Sequence, residues 1–246
     1  MASTLVIQSH RDPLPHSWLS RCLDSVESWS RDNGFAYRFI GDELFEVLPD
    51  DLHSLAESRP VIASDLARLA WLRAGLADGH DCVVWCDADF LVFDSASLQL
   101  PEDDYALGRE VWVQQDEDRL RAWVKLHNAC MMFRRGNSFL DFYHDTALRL
   151  LRANQGPMPP QFIGPKWLSA IHAIAQCPVL ESAAMLSPLV MHDCLAGDGD
   201  ALQLMRQKSK QAPTGANLSA SLCTREGLDD ARMDQLIDLL LARRIW

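Results

Sequence analysis

The sequence predicts an α/β fold with a mostly parallel central sheet flanked by helices. Residues 4–9, TLVIQS, form a short apolar run that indicates a buried strand. A helix is expected from about Pro15, because apolar side chains follow at spacings of four, four and three: Trp18, Cys22, Val26 and Trp29. Residues 35–40, FAYRFI, indicate a second strand. A strand, a helix and a strand within forty residues are typical of a βαβ unit, whose two strands are parallel.

The remaining elements follow from the same patterns. Helical spacing runs from Val61 to Ala77, and a buried strand begins at about Cys82. The other expected elements are strands at 105–116 and 128–135 and helices at 138–152, 166–176 and 229–243. Residues 197–215 are rich in Asp, Gln, Lys and Gly, and they predict a mobile surface loop. Because we find no repeat and no linker, the 246 residues are expected to form one domain.

Composition limits the partners and the compartment. The net charge is −11, the pI is about 5.1 and no Lys/Arg run is present, which argues against nucleic acid or an anionic membrane as the main partner. Seven scattered cysteines without paired zinc spacing indicate a reducing cytosol. Neither a signal peptide nor a transmembrane segment is predicted. We therefore expect a cytoplasmic protein, and docking at the inner face of a membrane stays open.

The stretch VVWCDADFLVF, residues 83–93, places two carboxylates within an apolar run. In an open parallel sheet, ligands bind at the carboxyl ends of the strands. Asp87 and Asp89 would point the same way in an extended chain, so both could face one cation, and paired carboxylates suit Mg²⁺ or Mn²⁺. The alternative is structural, with Asp87 capping a turn and Asp89 solvated.

A second pair of polar residues stands upstream, in ASDLARLAWLRAG. Asp65 and Arg68 are three residues apart and share one side of the predicted helix near its start. A carboxylate that accepts hydrogen bonds and a guanidinium that donates them would suit the hydroxyls of a sugar. The structural alternative is that Ser64 or Asp65 is simply the N-cap of the helix.

ASDLARL, a helix and an apolar strand running into DADFLVF together resemble the GT-A glycosyltransferases. The most similar group has an A-S-D-x-x-R helix upstream of a DxD motif, and it includes mannosyltransferases and glucosylating bacterial toxins. Weaker resemblances lie at 4–40 (the nucleotide-binding βαβ unit), at 127–145 (an N-x-x-M strand and a helix) and at 162–172 (a Gly-Pro helix start). In contrast to many of these enzymes, LADGHDCVVWCDAD lacks a Gly pair and a Tyr before the motif.

The resemblance implies a reaction and a division of the chain. It implies one glycosyltransferase-like domain over 1–246, with a nucleotide-binding half at about 1–135 and an acceptor half at about 136–246. The enzyme would transfer a sugar, with retention, from a nucleotide-diphosphate sugar, UDP being favoured over GDP. It would use Mn²⁺ or Mg²⁺. The acceptor stays open among a glycan, a lipid-linked saccharide, a protein and a small molecule.

The resemblance also implies roles for particular residues. Asp89 would be the principal metal ligand, and Asp87 would contact the metal or the ribose. Asp65 and Arg68 would hold the donor sugar. The end of the first strand would lie beside the base: Gln8, Ser9 and His10. A catalytic nucleophile is not identified.

Enzymes of this fold generally take a further metal ligand from near the C-terminus. His192, in SPLVMHDCLAG, follows an apolar run and is one candidate, although it could equally be a satisfied strand-end residue. Asn217 or Ser219, in GANLSASL, is the rival, with capping of a turn as the structural alternative. Asn128 could contact the acceptor or the donor sugar.

Three other functions use the same acids. A phosphatase with a catalytic DxD would carry the motif after its first strand with Thr or Val two residues on, whereas Leu91 stands there. A nucleotidyltransferase would have a Gly-rich basic loop after the first strand, and QSHRDPLP is not one. A nucleotide-sugar-binding protein without transferase activity is the third, although such a protein has no need to keep Asp65, Arg68, Asp87 and Asp89 together.

Overall fold

The computed structural model describes residues 3–246, and within that range the chain forms nine strands and nine helices. The strands are β1 Thr4–Ser9, β2 Ala36–Ile40, β3 Cys82–Cys86, β4 Phe90–Val92, β5 Tyr105–Asp116, β6 Arg119–Arg134, β7 Val179–Leu180, β8 Ala183–Met185 and β9 Gly215–Asn217. The helices are α1 Trp18–Asp32, α2 Leu55–Ser58, α3 Pro60–Ala77, α4 Phe139–Ala153, α5 Pro165–Ala175, α6 Pro188–Ala196, α7 Asp200–Lys208, α8 Ala220–Cys223 and α9 Asp230–Leu241.

A six-stranded sheet lies at the centre, in the order β2-β1-β3-β6-β5-β7. Three of its five strand pairs within residues 3–246 are parallel, and β6 runs antiparallel to both of its neighbours. The predicted βαβ unit is confirmed, because β1 pairs with β2 in parallel after α1. The α/β fold with a mostly parallel central sheet and flanking helices is likewise confirmed.

Apolar side chains cover both faces of the central sheet. On one face, α3, α4 and α5 pack their buried residues against alternate residues of β1 and β3, such as Ile7, Val83 and Trp85. On the other face, Val26 and Trp29 of α1 pack against the intervening residues of the same strands. Because β1 and β3 are covered on both sides, they read as continuous apolar runs in the sequence.

A second, three-stranded sheet, β4-β9-β8, stands beside the first. The chain leaves the central sheet at Cys86, turns through Asp87, Ala88 and Asp89, and enters the second sheet at Phe90. The two apolar halves of VVWCDADFLVF therefore belong to different sheets. Helices α1, α6, α7 and α9 bury their apolar residues around this second sheet.

Helix α3 starts earlier than the sequence analysis assumed. It begins at Pro60, a residue suited to the first helical position, with Arg59 as its N-cap. Asp65 therefore lies in the second turn, where it is buried, and the alternative of Ser64 or Asp65 as the N-cap was wrong.

The predicted loop at 197–215 was also wrong, because it contains helix α7. Leu202 and Met205 of that helix are buried, and the Asp193 carboxylate accepts hydrogen bonds from the amides of Ala201 and Leu202 at 2.8 and 3.0 Å. A side chain from the preceding helix thus caps α7. The residue that stabilises the start of this helix therefore lies outside the segment 197–215.

Strand β6 is longer than predicted and forms a hairpin with β5 that projects from the sheet. The register shifts between Leu107 and Gly108, where the ring of His127 lies against the Gly108 backbone. None of the helices within residues 3–246 combines the length and the apolar character needed to cross a membrane.

Candidate functional site

The two aspartates of the DxD stretch lie in a turn. The Asp87 amide donates to the carbonyl of Ala129 at 2.8 Å, and the Phe90 amide closes the turn on the Asp87 carbonyl at 2.9 Å. The expectation of an extended chain was therefore wrong at this point. Both side chains nevertheless line the same two cavities.

These cavities have volumes of about 470 and 430 Å³. We call them the first and the second cavity. Arg68, Asp87, Asp89 and Ser221 line both of them. The acidic turn and one arginine thus form the boundary between two pockets that are each large enough for part of a small-molecule ligand.

The first cavity lies between the end of β1 and the start of α1. Ser9 and His10 line it as predicted, and Arg11 and His16 add further polar groups. The Ser9 hydroxyl is buried there without a hydrogen-bond partner among residues 3–246. A buried hydroxyl without a protein partner is a candidate contact for a ligand, because a hydrogen bond from the ligand would offset the cost of its burial.

Gln8 has a different position from its two neighbours. Its side chain is fully buried, its Nε2 donates to the Asp87 carbonyl at 3.1 Å, and its Oε1 accepts from the Tyr37 hydroxyl at 3.1 Å. Both ends are therefore used inside the protein. Gln8 supports the acidic turn, and the structure does not bring it to the cavity with Ser9 and His10.

Arg68 connects the acids of the site. Its guanidinium lies 3.0 Å from Asp87 Oδ1 and 3.3 Å from Asp65 Oδ1, and it donates to the Asn128 carbonyl at 2.7 Å. Asn128 in turn donates from Nδ2 to Asp65 Oδ1 at 2.7 Å. The predicted Asp65–Arg68 pair is thus brought together with Asp87 and Asn128 in one buried network.

The network controls the charge of Asp65. Burial raises the pKa of Asp65 to about 6, and the positive charge of Arg68 opposes that rise. Gly164 lies so close that a Cβ there would come within 2.5 Å of Asp65 Oδ2. Because Gly164 has no side chain, the backbone just before α5 can lie directly against this carboxylate.

Asp89 is held from the C-terminal part of the chain. Its Oδ1 accepts from Asn217 Nδ2 at 2.5 Å, and its Oδ2 accepts from the amide of Ala220 at 2.9 Å. Burial and the neighbouring Asp87 carboxylate raise the pKa of Asp89 to about 6. Two nearby carboxylates in a partly buried site are an arrangement that a cation stabilises.

The three candidates for a third metal ligand lie in different places, two beside the acidic turn and one away from it. Asn217 and Ser219 both line the second cavity beside Asp89, and the Ser219 amide donates to Asn217 Oδ1 at 2.8 Å. His192 lies on helix α6, and its Nε2 contacts the Glu226 carbonyl at 2.9 Å. The structure does not bring His192 into either cavity, because its segment is a helix and not a strand ending at the sheet edge.

The donor atoms at the turn suit a hard divalent cation. Within residues 3–246, no group of three or more His, Cys, Asp or Glu side chains is arranged to hold a metal. The available ligands are the oxygens of Asp87 and Asp89, with the Asn217 and Ser219 oxygens nearby. This set fits Mg²⁺ or Mn²⁺ coordinated partly by the oxygens of a bound phosphate, as such cations commonly are.

The second cavity is bounded by β5, β6 and the start of α5. Besides the acidic turn and the Asp65 network, its polar lining includes four residues of the hairpin: Glu110, Trp112, Gln114 and Lys125. Burial raises the pKa of Glu110 to about 7, and the positive charge of Lys125 opposes that rise. This pocket therefore combines an aromatic ring with several hydrogen-bonding groups.

Comparison with known proteins identifies the fold. No family model and no curated protein matches the sequence. Among solved structures, a glycosyltransferase involved in the glycosylation of the major capsid of PBCV-1 matches 95% of this chain and 99% of its own, with a TM-score of 0.56 and 9% identity. This fold is one that a glycosyltransferase uses. The galactosyltransferase LgtC, in complex with donor and acceptor sugar analogs, covers 95% of both chains, with a TM-score of 0.48 and 14% identity.

The sequence analysis missed the contribution of the hairpin. Along β5, Val111 and Val113 are buried among apolar residues, whereas Glu110, Trp112 and Gln114 alternate with them toward the second cavity. The alternation is visible in the sequence, but which face would meet a ligand depends on where β5 lies in the sheet. Arg11, His16 and Ser221 were also not predicted; they lie outside the strands, in the segment before α1 and in α8.

Proposed function

We propose that the protein is a metal-dependent glycosyltransferase that acts as a single domain over 1–246. The donor would be a nucleotide-diphosphate sugar, with UDP favoured over GDP, and the transfer would occur with retention. The observation that supports this function best is the position of the Asp87–Asp89 turn between two cavities that share Arg68. A diphosphate held at such a turn would have its nucleoside on one side and its sugar on the other.

The first cavity would bind the nucleoside. Ser9 offers a buried hydroxyl without a partner, and His10 lies beside it. Burial lowers the pKa of His10, so its ring is neutral near pH 7. Its Nδ1 donates to the Arg11 carbonyl at 3.3 Å, which leaves Nε2 to accept a hydrogen bond. These groups suit the amide-like edge of a base and the hydroxyls of a ribose.

The turn would hold the diphosphate through a divalent cation bound by Asp87 and Asp89, with Asn217 or Ser219 as a further ligand. When bound, Mg²⁺ or Mn²⁺ stabilises the negative charge that develops on a departing diphosphate. Asn217 and the Ala220 amide fix the Asp89 carboxylate from one side, so its orientation does not depend on the ligand. Such preorganised groups favour the transition state because little rearrangement is needed during the reaction.

The Asp65 network would hold the donor sugar. Asp65, Arg68 and Asn128 are buried, and all three line the second cavity. Carboxylate and amide oxygens accept hydrogen bonds from sugar hydroxyls, and the guanidinium donates to them. The network would thereby hold the anomeric carbon of the sugar close to the remainder of the second cavity, where an acceptor would enter.

The proposal is tested by ligand-dependent thermal unfolding. The wild type is measured with UDP, GDP and their hexose derivatives, each with and without Mn²⁺ or Mg²⁺. A ligand at about 100 times its dissociation constant adds about 2.7 kcal/mol to the free energy of unfolding, which corresponds to a shift of several degrees. We expect one nucleotide class to stabilise the protein only when the cation is present.

Asp89→Asn is the informative variant, and Asp118→Asn, an exposed acid in the β5–β6 turn, is its matched control. The cation-dependent shift should be lost in the first variant and kept in the second. If no nucleotide stabilises the wild type with either cation, the proposed function is wrong. Stabilisation without any hydrolysis of the donor or any transfer would instead identify a nucleotide-sugar-binding protein.

A further inference from the structure

The face of β5 that meets the second cavity carries side chains unlike those of a solvent-exposed strand. Glu110, Trp112 and Gln114 stand at alternate positions and line the cavity together with the acidic turn. The residues between them, Val111 and Val113, are buried in the core around the second sheet. The strand is therefore fixed from behind, and its polar face is presented to the cavity on a rigid element.

Glu110 is the unusual member of this face. Only 8% of the residue is exposed, and within residues 3–246 burial and the charge of Lys125, with no hydrogen bond, determine the pKa of its carboxylate. Lys125 stands directly opposite in the strand register, but its side chain is exposed and makes no ion pair with Glu110. Its carboxylate oxygens keep some solvent access, so they are open to the cavity that Glu110 lines and can accept a hydrogen bond from a ligand there.

Trp112 gives that ligand its shape. The ring is partly exposed and lines the cavity, and its Nε1 donates to Gln114 Oε1 at 3.1 Å. An aromatic ring beside hydrogen-bonding groups matches a molecule with an apolar face and a polar rim. A sugar ring has this form, because its C–H groups lie on the faces and its hydroxyls at the edge.

We propose that Glu110 and Trp112 form the acceptor subsite and that the acceptor is a saccharide. Glu110 accepts a hydrogen bond from a sugar hydroxyl, Trp112 packs against the face of the ring, and Gln114 donates to a further oxygen. Glu110 and Trp112 determine the specificity for the acceptor, because neither of them belongs to the acidic turn. The assignment rests on the proposed function, and it narrows the acceptor from a protein side chain or a small metabolite to a sugar residue.

The test separates acceptor binding from donor binding. Saturation-transfer NMR measures binding of the methyl glycosides of glucose, galactose, mannose and N-acetylglucosamine to the protein in the presence of UDP and Mn²⁺. Calorimetric titration then gives the dissociation constant of the glycoside that binds best. The same samples are titrated with UDP and Mn²⁺ alone, which reports on the donor site without any acceptor.

The variants are Glu110→Gln, Trp112→Ala and, as the matched control, Glu102→Gln at an exposed acid just before β5. Glu110→Gln and Trp112→Ala should each weaken glycoside binding about tenfold or more, as loss of a hydrogen bond to a charged group or of an aromatic contact does. UDP binding should stay within twofold in all three variants. Glu102→Gln should bind the glycoside like the wild type.

Two results would overturn the assignment while the proposed function stands. One is normal binding of UDP with no glycoside bound by the wild type, and the other is glycoside binding that Glu110→Gln and Trp112→Ala leave unchanged. If the wild type bound neither UDP nor GDP in the presence of the cation, the proposed function would instead be wrong, and the subsite with it. Because Trp112 is partly exposed, Trp112→Ala keeps the test decisive even if the Glu110 variant fails to fold.

Discussion

Asn217 Nδ2 lies 2.5 Å from Asp89 Oδ1, although 128 residues separate the two along the chain. The contact arises because β9 pairs antiparallel with β4, so that Asn217 stands opposite Phe90, the residue after Asp89. The turn that leaves the central sheet is thereby fixed by a strand near the C-terminus. The acidic site is thus shared between the two sheets.

Asn217→Ala should weaken cation-dependent nucleotide binding. The substitution removes the hydrogen bond that fixes Asp89 and one nearby oxygen, and we expect a loss of about tenfold in affinity. Calorimetric titration with UDP and Mn²⁺ measures the effect. Asn154→Ala, at a partly exposed loop position, is the control and should bind normally. Equal affinities for the two variants would remove Asn217 from the site.

Arg68→Met should destabilise the folded protein strongly. The arginine pairs with both Asp65 and Asp87, so its removal leaves the buried Asp65 carboxylate and the partly exposed Asp87 carboxylate without a compensating charge. The expected loss is about 3–5 kcal/mol in the free energy of unfolding, measured by urea denaturation near neutral pH. Arg149→Met, on the exposed side of α4, should change it by less than about 0.5 kcal/mol. A loss at Arg68 no larger than at Arg149 would contradict the buried network.

Gly108→Ala should destabilise the protein through a clash with one side chain. A Cβ at Gly108 would lie 2.1 Å from a ring carbon of His127. That ring is fixed, because Nε2 donates to the Ala183 carbonyl at 3.0 Å and Nδ1 accepts from the Ala129 amide at 3.1 Å. Burial lowers the pKa of His127 to about 4, so the ring is neutral near pH 7. We expect a cost of about 1–3 kcal/mol.

A double-mutant cycle isolates this clash. Gly108→Ala is measured by urea denaturation in the wild type and in a His127→Ala background, where the ring is absent. The cost should largely disappear in that background. An equal cost in both backgrounds would show that Gly108 is required for a reason other than the approach of His127.

Glu110 should make stability depend on pH. Because burial raises its pKa in the folded state to about 7 from 4.5, the folded protein holds the proton more tightly than the unfolded chain. The contribution of this group is fully present below about pH 4.5 and is lost as the pH rises through about 7. Glu110→Gln should therefore be more stable than the wild type at pH 8, by about 1–3 kcal/mol, and nearly equal to it at pH 4.

Urea denaturation across this pH range measures the difference between the two proteins. Glu102→Gln, whose acid is exposed, should follow the wild type at every pH. A constant difference between Glu110→Gln and the wild type would mean that the carboxylate is not buried in the manner described.

The sequence by itself determined the elements whose signals are local. The apolar runs of β1 and β3 and the spacing of Trp18, Cys22, Val26 and Trp29 in α1 predict a βαβ core, since burial on both faces and helical periodicity are properties of neighbouring residues. The pairing of Asp65 with Arg68 was likewise readable, because residues three apart on a helix meet. The prediction of a site at the DxD stretch likewise depended on neighbouring residues alone.

Only the tertiary structure decided which distant residues complete the site. Strand β9 brings Asn217 to Asp89, whereas helix α6 holds His192 away, and no local pattern distinguishes these two outcomes. The polar face of β5 became part of a cavity because of its place beside β6 and opposite the acidic turn. Contacts of this kind depend on pairing between strands that lie far apart along the sequence. A sequence pattern fixes which face of a strand is polar, but the fold fixes what that face meets.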